Sequence, residues 1–135
     1  MAGGCVFCEI AGGREPAAIV YEDDFCIAFM DIYPVSRGHV LVAPRTHYER
    51  ITDMDLDSAL KLFSAVYRVV HMVSRALKPD GIRIVQNNGG AAGQVVMHVH
   101  FHVIPFYRGA PGYRRRASLE ELREVAGIIR SAGGP

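Results

Sequence analysis

Gly93-Gln94-Val95-Val96-Met97-His98-Val99-His100-Phe101-His102-Val103-Ile104 sets three histidines at alternate positions among β-branched, aromatic and other apolar residues. Such a run reads as a strand from Val95 to Ile104, with side chains pointing to opposite faces in turn. Val95, Met97, Val99, Phe101 and Val103 then form a core face, and His98, His100 and His102 share the other. Same-face neighbours lie about 6.6–6.8 Å apart, so His98 and His102 are about 13 Å apart at Cα. One metal ion cannot comfortably gather all three. The histidines therefore have different tasks, with an end one free to join another cluster. A single histidine in a strand reads as a half-buried polar residue satisfied by its neighbours; three in register on an apolar backing read as an active site. Imidazole has an ordinary pKa of ~6.5 and is largely neutral at pH 7. A neutral ring nitrogen suits attack on phosphorus, and the labile N–P bond divides one hard displacement into two easier ones.

Working outward, Ala18 to Tyr21 and Cys26 to Met30 read as strands around the acidic turn Glu22-Asp23-Asp24, and Val40 to Ala43 as a third strand. From Leu56, apolar residues recur at Ala59, Leu60, Phe63, Val66, Tyr67, Val70, Val73 and Leu77, which is helical spacing. Thr52 or Asp53 offers its cap, and Pro79 with Gly81 its stop. Ile82 to Val85 is a fourth strand and Gly89 to Gly93 a flexible loop. Ser118 to Ile129 is a closing amphipathic helix, with Ser118 and Glu121 placed for a capping box. The pattern is α+β, a single domain over residues 1–135. The third and fourth strands, joined through a helix, could run parallel by connection length alone.

The 135 residues carry a formal charge of +1 with half of them hydrophobic, so an anionic ligand must be held locally, and a nucleic-acid or membrane surface is not expected. No apolar run approaches the ~18–20 residues that span a bilayer, and no signal peptide is apparent. These features point to the cytoplasm, where thiols stay reduced. Cys26, within an apolar run, reads as a small buried hydrophobe. Cys5-Val-Phe-Cys8 has metal-ligand spacing, with a redox pair as the rival reading; the thioredoxin-like context of such a pair is absent.

The segment from Gly93 to Ile104 resembles the signature of the histidine-triad (HIT) family of nucleotide hydrolases and transferases. The likeness extends to Phe7 with Ile10, to Phe29-Met-Asp31-Ile32, to Gly38-His-Val-Leu-Val-Ala-Pro44-Arg-Thr-His47, and to Asn87 with Gly89. The resemblance implies a HIT-like fold, a five-stranded, mainly antiparallel sheet with one long central helix and a C-terminal helix. It makes His100 the nucleophile and His102 a donor to the phosphate oxygens. It puts Asp31 at the ribose hydroxyls, Phe7, Phe29 and Ile32 around the base, and Asn87 and Gln94 at the phosphates or bracing the loop around them. In the family's zinc-binding branch the ligands correspond to Cys5, Cys8, His47 and His98, a Cys₂His₂ set for a closed, structural site.

Two departures stand out: Val95 replaces a frequent Ser or Thr, and Phe106 replaces a frequent Arg after Pro105. Both bear on the leaving group more than on cleavage itself. His39 reads as structural, His71 as a packing residue, and Arg114-Arg-Arg116 as a solvated loop, with a polyphosphate or nucleic-acid contact as its lesser reading. The expected activity is transfer or hydrolysis of a purine nucleotide unit, adenosine above all, from a phosphoramidate or dinucleoside polyphosphate through a nucleotidyl-histidine. A nucleotide-binding regulatory protein with weak residual hydrolysis is the alternative, and a simple zinc-binding interaction module a third. The family also implies a homodimer, in which the segment beyond the triad reaches the neighbouring subunit's site.

Overall fold

The computed structural model describes residues 4–112 and 115–132. The outermost terminal residues, read as frayed, and Tyr113 and Arg114 of the segment after the histidines lie outside the described residues. In chain order come α1 (Val6–Ala11), β1 (Ile19–Glu22), β2 (Cys26–Met30), β3 (Val40–Pro44), α2 (Leu56–Leu77), β4 (Gly81–Gln86), β5 (Phe101–Phe106) and α3 (Leu119–Ser131), with short 3-10 turns at Ile51–Asp53 and Gly90–Ala92. The strands form one sheet in the order β1-β2-β3-β5-β4, and every neighbouring pair is antiparallel. The expected α+β architecture is therefore the observed one. β3 and β4 run in the same direction, as a helical connection permits, but do not pair. β5 lies between them, with Leu41 and Val85 both opposite His102.

All residues of β2 and β3 are buried because both faces of the sheet are covered. On one face, Cys26, Ala28, Met30, Val40, Val42, Val99 and Val103 join Leu62, Val66, Val69 and Val73 of α2 and Leu122, Ala126 and Ile129 of α3. On the other, Ile27, Phe29, Leu41 and Ala43 pack with Phe7 and Ile10 of α1. Each fully buried side chain of this size contributes about 1.5–3 kcal/mol. The pleat of β5 sends His102 to the α1 side and Val103 to the core of the helices.

Several boundaries differ from the sequence reading. α1 was not expected, because six residues are too few to show a helical period; it forms where Cys5 accepts the Cys8 N–H at 3.4 Å. The N-cap of α2 is Asp55, which accepts the Ser58 N–H at 3.1 Å, whereas Thr52 and Asp53 belong to the preceding 3-10 turn. Its buried stripe is Leu62, Ala65, Val66, Val69, Met72 and Val73, so Leu60, Phe63 and Tyr67 are not core residues. α3 opens with the expected capping box: Glu121 N–H donates to Ser118 Oγ at 3.1 Å, and Ser118 N–H donates to Glu121 Oε1 at 2.9 Å.

The largest correction concerns the histidine segment, which becomes a strand only at Phe101. At its start His98 N–H donates to the Val96 carbonyl (2.9 Å) and Val99 N–H to that of Tyr48 (2.7 Å), so the chain bends before joining the sheet. Alternation fails there: Val95 is 88% exposed and Met97 40%, while Val99 and Val103 are fully buried as expected. Among the described residues no helix is long and apolar enough to cross a membrane.

Candidate functional site

The bend directs His98 away from the other two histidines. It is fully buried, and its Nε2 lies 2.8 Å from the Pro44 carbonyl, which can only accept. Nε2 therefore carries the proton and Nδ1 presents a bare lone pair. That Nδ1 is 3.3 Å from Cys5 Sγ, 3.5 Å from Cys8 Sγ and 3.2 Å from His47 Nδ1, and Cys8 Sγ is 3.4 Å from His47 Nδ1. Zinc–ligand bonds of about 2.3 Å to sulfur and 2.0–2.1 Å to nitrogen, arranged tetrahedrally, give edges of about 3.3 Å for N···N and 3.5 Å for N···S. The four donors fit such an ion. Burial, followed by the neighbouring Cys5, pushes the Cys8 thiol up to about 11. The Cys8 thiolate therefore forms only with a cation beside it. Burial also pulls His98 down to about 4, which keeps its ring neutral and a competent ligand.

The second histidine is held by the first. His100 Nδ1–H donates to the His98 carbonyl at 2.7 Å, which leaves Nε2 unprotonated. Burial lowers the pKa of His100, favouring this neutral form. Its ring meets the edge of Phe7 at 5.0 Å and 90°, and Phe7 in turn meets Phe29 at 5.2 Å. Phe7 thereby couples the Cys5–Cys8 turn to His100.

The third histidine is oriented by His39, the residue that sequence reading placed outside the site. Val35 N–H donates to His39 Nδ1 at 3.0 Å, so the proton of this ring sits on Nε2. That Nε2 lies 2.9 Å from His102 Nδ1 and 3.4 Å from Asp31 Oδ2. Donation to Nδ1 leaves His102 with its own proton on Nε2, as a hydrogen-bond donor. These bonds account for the Asp31–His39–His102 cluster without a second metal ion. Burial pulls His39 and His102 both to about 4, so both rings are neutral. Asp31, pushed up by burial, accepts the Tyr33 N–H at 2.8 Å. A signal for His39 existed in its parity with Leu41 on β3, but only the pairing of Leu41 with His102 gives that parity meaning. The corner before it needs Gly38, whose φ is +93° and where a Cβ would overlap Leu77 Cδ1.

A cavity of about 680 Å³ opens onto these groups, bounded by Phe7, Phe29, Asp31, Ile32, Asn87, Val95, His100 and His102. Gln94 has a different place. Its side-chain carbonyl accepts the Gly89 N–H at 2.6 Å, and its amide donates to the carbonyls of Glu49 (2.6 Å) and Val96 (3.1 Å). Of the two expected roles, bracing the loop is the one this geometry carries. Gly93, at φ +98°, lets the loop turn past Asn87. The four candidate metal donors are not among the residues that line this cavity.

The segment before α3 also departs from expectation. Arg116, Ala117 and Leu119 line the cavity of their own chain. Ala117 N–H donates to the Ile32 carbonyl at 2.9 Å, and Arg115 pairs with Glu121 at 2.9 Å. Arg116 is therefore a wall residue of the site and not only a solvated charge; a run of three arginines in a loop gives no sign of this. His71 packs on Tyr67 with ring centres 4.5 Å apart, as expected.

A bare imidazole nitrogen, a neighbouring imidazole N–H donor and a carboxylate at the edge of an apolar cavity form an arrangement that can hold an anion and attack it. Residues 13–109 match the HIT domain model, and the chain belongs to the HIT family. It is 43% identical to an uncharacterised HIT-like protein of Methanocaldococcus jannaschii, over 91% of this chain and 99% of that one. It is 38% identical to the adenosine 5'-monophosphoramidase of Schizosaccharomyces pombe, over 75% of this chain and 73% of that enzyme. A zinc-bound histidine triad protein from Mycobacterium smegmatis superposes with a TM-score of 0.87 at 34% identity, covering 98% of this chain and 94% of that one.

Proposed function

We propose that the protein cleaves a purine nucleoside phosphoramidate or dinucleoside polyphosphate at its α-phosphorus. The observation that carries this reading is the bond from His100 Nδ1–H to the His98 carbonyl, which leaves Nε2 as a neutral nucleophile beside the cavity. Nε2 attacks phosphorus, the bond to the leaving nitrogen or oxygen breaks, and a nucleotidyl-histidine forms. Water then attacks the same phosphorus, releasing the nucleoside monophosphate and returning Nε2 to its free state. His102 Nε2–H donates to the phosphate oxygens as charge builds on them. Asp31 accepts from the ribose hydroxyls, Phe7, Phe29 and Ile32 enclose the base, and Asn87 stands at the phosphates. Cys5, Cys8, His47 and His98 would hold a structural zinc, with all four positions filled by protein. The thiolate pair needs a reducing compartment, and on that ground we place the protein in the cytoplasm.

Incubation with adenosine and guanosine phosphoramidates, dinucleoside polyphosphates and nucleotide sugars tests the reading. Rapid quenching should trap one nucleotidyl group on the peptide containing His100. Tight binding with no turnover and no adduct on any of them would favour the regulatory alternative instead.

We infer further that two copies pair. Leu56, Leu60, Phe63 and Tyr67 lie along one face of α2, each more than half exposed, and Ile84 is exposed on the edge strand β4. A continuous apolar stripe beside an open sheet edge needs cover. Sedimentation at micromolar concentration should give twice the 14.8 kDa chain mass, and Leu60→Glu should return the monomer. A wild-type monomer would refute the pairing.

A further inference from the structure

We propose that Arg116 is a specificity-determining residue that recognises the acceptor edge of the purine, favouring guanine over adenine. The proposal rests on the nucleotide reading above and adds a residue that reading does not use. Arg116 is the one lysine or arginine among the described residues that line the cavity. Its backbone is not a loose tail: on one side Arg115 pairs with Glu121 at 2.9 Å, and on the other Ala117 is buried and bonded to the Ile32 carbonyl. Leu119, next along, packs against the helix-side core. The Arg116 guanidinium lies 5.7 Å from the centre of the Tyr33 ring, itself a wall residue of the same cavity. This contact orients the charged group while leaving its N–H edge available.

Position sets the partner. Ala117 is tied to Ile32, which on the nucleotide reading encloses the base with Phe7 and Phe29, whereas the phosphate groups face His100 and His102. A guanidinium beside Ile32 meets the base. It has five N–H donors in a planar fork and no acceptor. Guanine offers it two adjacent acceptors, N7 and O6, whereas adenine sets the N6 amino donor beside N7, so only one bond can form. Glu15 also lines the cavity and supplies an acceptor for the N1–H and N2 amino groups of guanine.

Calorimetric titration of GMP and AMP into the purified protein tests this without relying on turnover. Arg116→Ala should weaken GMP by about 5- to 100-fold, the span of a bidentate base contact, and AMP by less than about threefold. Arg116→Lys keeps the charge but not the fork and should recover little of the GMP affinity. An unchanged melting temperature in both variants would show that the wall itself is intact. Equal losses for the two nucleotides, or no loss for either, would overturn the assignment while leaving nucleotide binding standing. If neither nucleotide bound the wild type, the nucleotide reading would fall and this proposal with it.

Discussion

His100→Ala is expected to lose at least ~10⁴ in turnover while binding nucleoside monophosphates within a few fold of the wild type. The asymmetry follows from where the interactions are made. Phe7, Phe29, Ile32 and Asp31 surround the cavity whether or not chemistry occurs, so their contribution is present in the ground state. His100 Nε2 contributes only as the N–P bond forms. Loss of the ring also removes its edge contact with Phe7 at 5.0 Å, so His100→Asn, which keeps a polar group of similar reach, serves as a second variant. His102→Ala should be milder, a loss of ~10²–10³ as for removal of one donor to a developing anion. Steady-state kinetics alongside calorimetry separates these outcomes. A His100→Ala protein retaining more than a few per cent of the wild-type rate would exclude the covalent mechanism.

Cys8→Ser is expected to release about one equivalent of zinc per chain and to lower the melting temperature by about 10–20 °C. An ion bound 1,000-fold above its Kd stabilises the folded state by about 4 kcal/mol, and a domain of this size shifts several degrees per kcal/mol. The loss should also reach the active site. His98 holds the His100 ring through its backbone carbonyl at 2.7 Å, and Phe7 sits between Cys5 and Cys8 while touching both His98 and His100. Turnover should therefore fall with metal content even though none of the four donors touches substrate. Elemental analysis of protein purified without chelators provides the check, with the melting curve as its second readout. Metal-free wild-type protein of full stability would sink the assignment.

Local pattern alone determined a good part of this protein. The Cys5–Cys8 spacing, the span of α2 and the Ser118–Glu121 capping box are all contained within short stretches of chain, where sterics and hydrogen bonding act between near neighbours. Tertiary structure decided the rest. The insertion of β5 between β3 and β4 depends on which strand edges meet, and no segment carries that information by itself. The same pairing sets His39 against His102 and turns a residue that looks structural into the one that fixes a tautomer. His98 leaves the strand because Tyr48 and Pro44, about fifty residues away, accept hydrogen bonds that bend the chain and hold its ring. α1 forms despite its length because Phe7 and Ile10 find a sheet face to cover. Arg116 joins the cavity wall because the Ile32 carbonyl accepts the N–H of Ala117. Each of these outcomes is a contact between distant parts of the sequence, favourable only once the fold has brought both partners together.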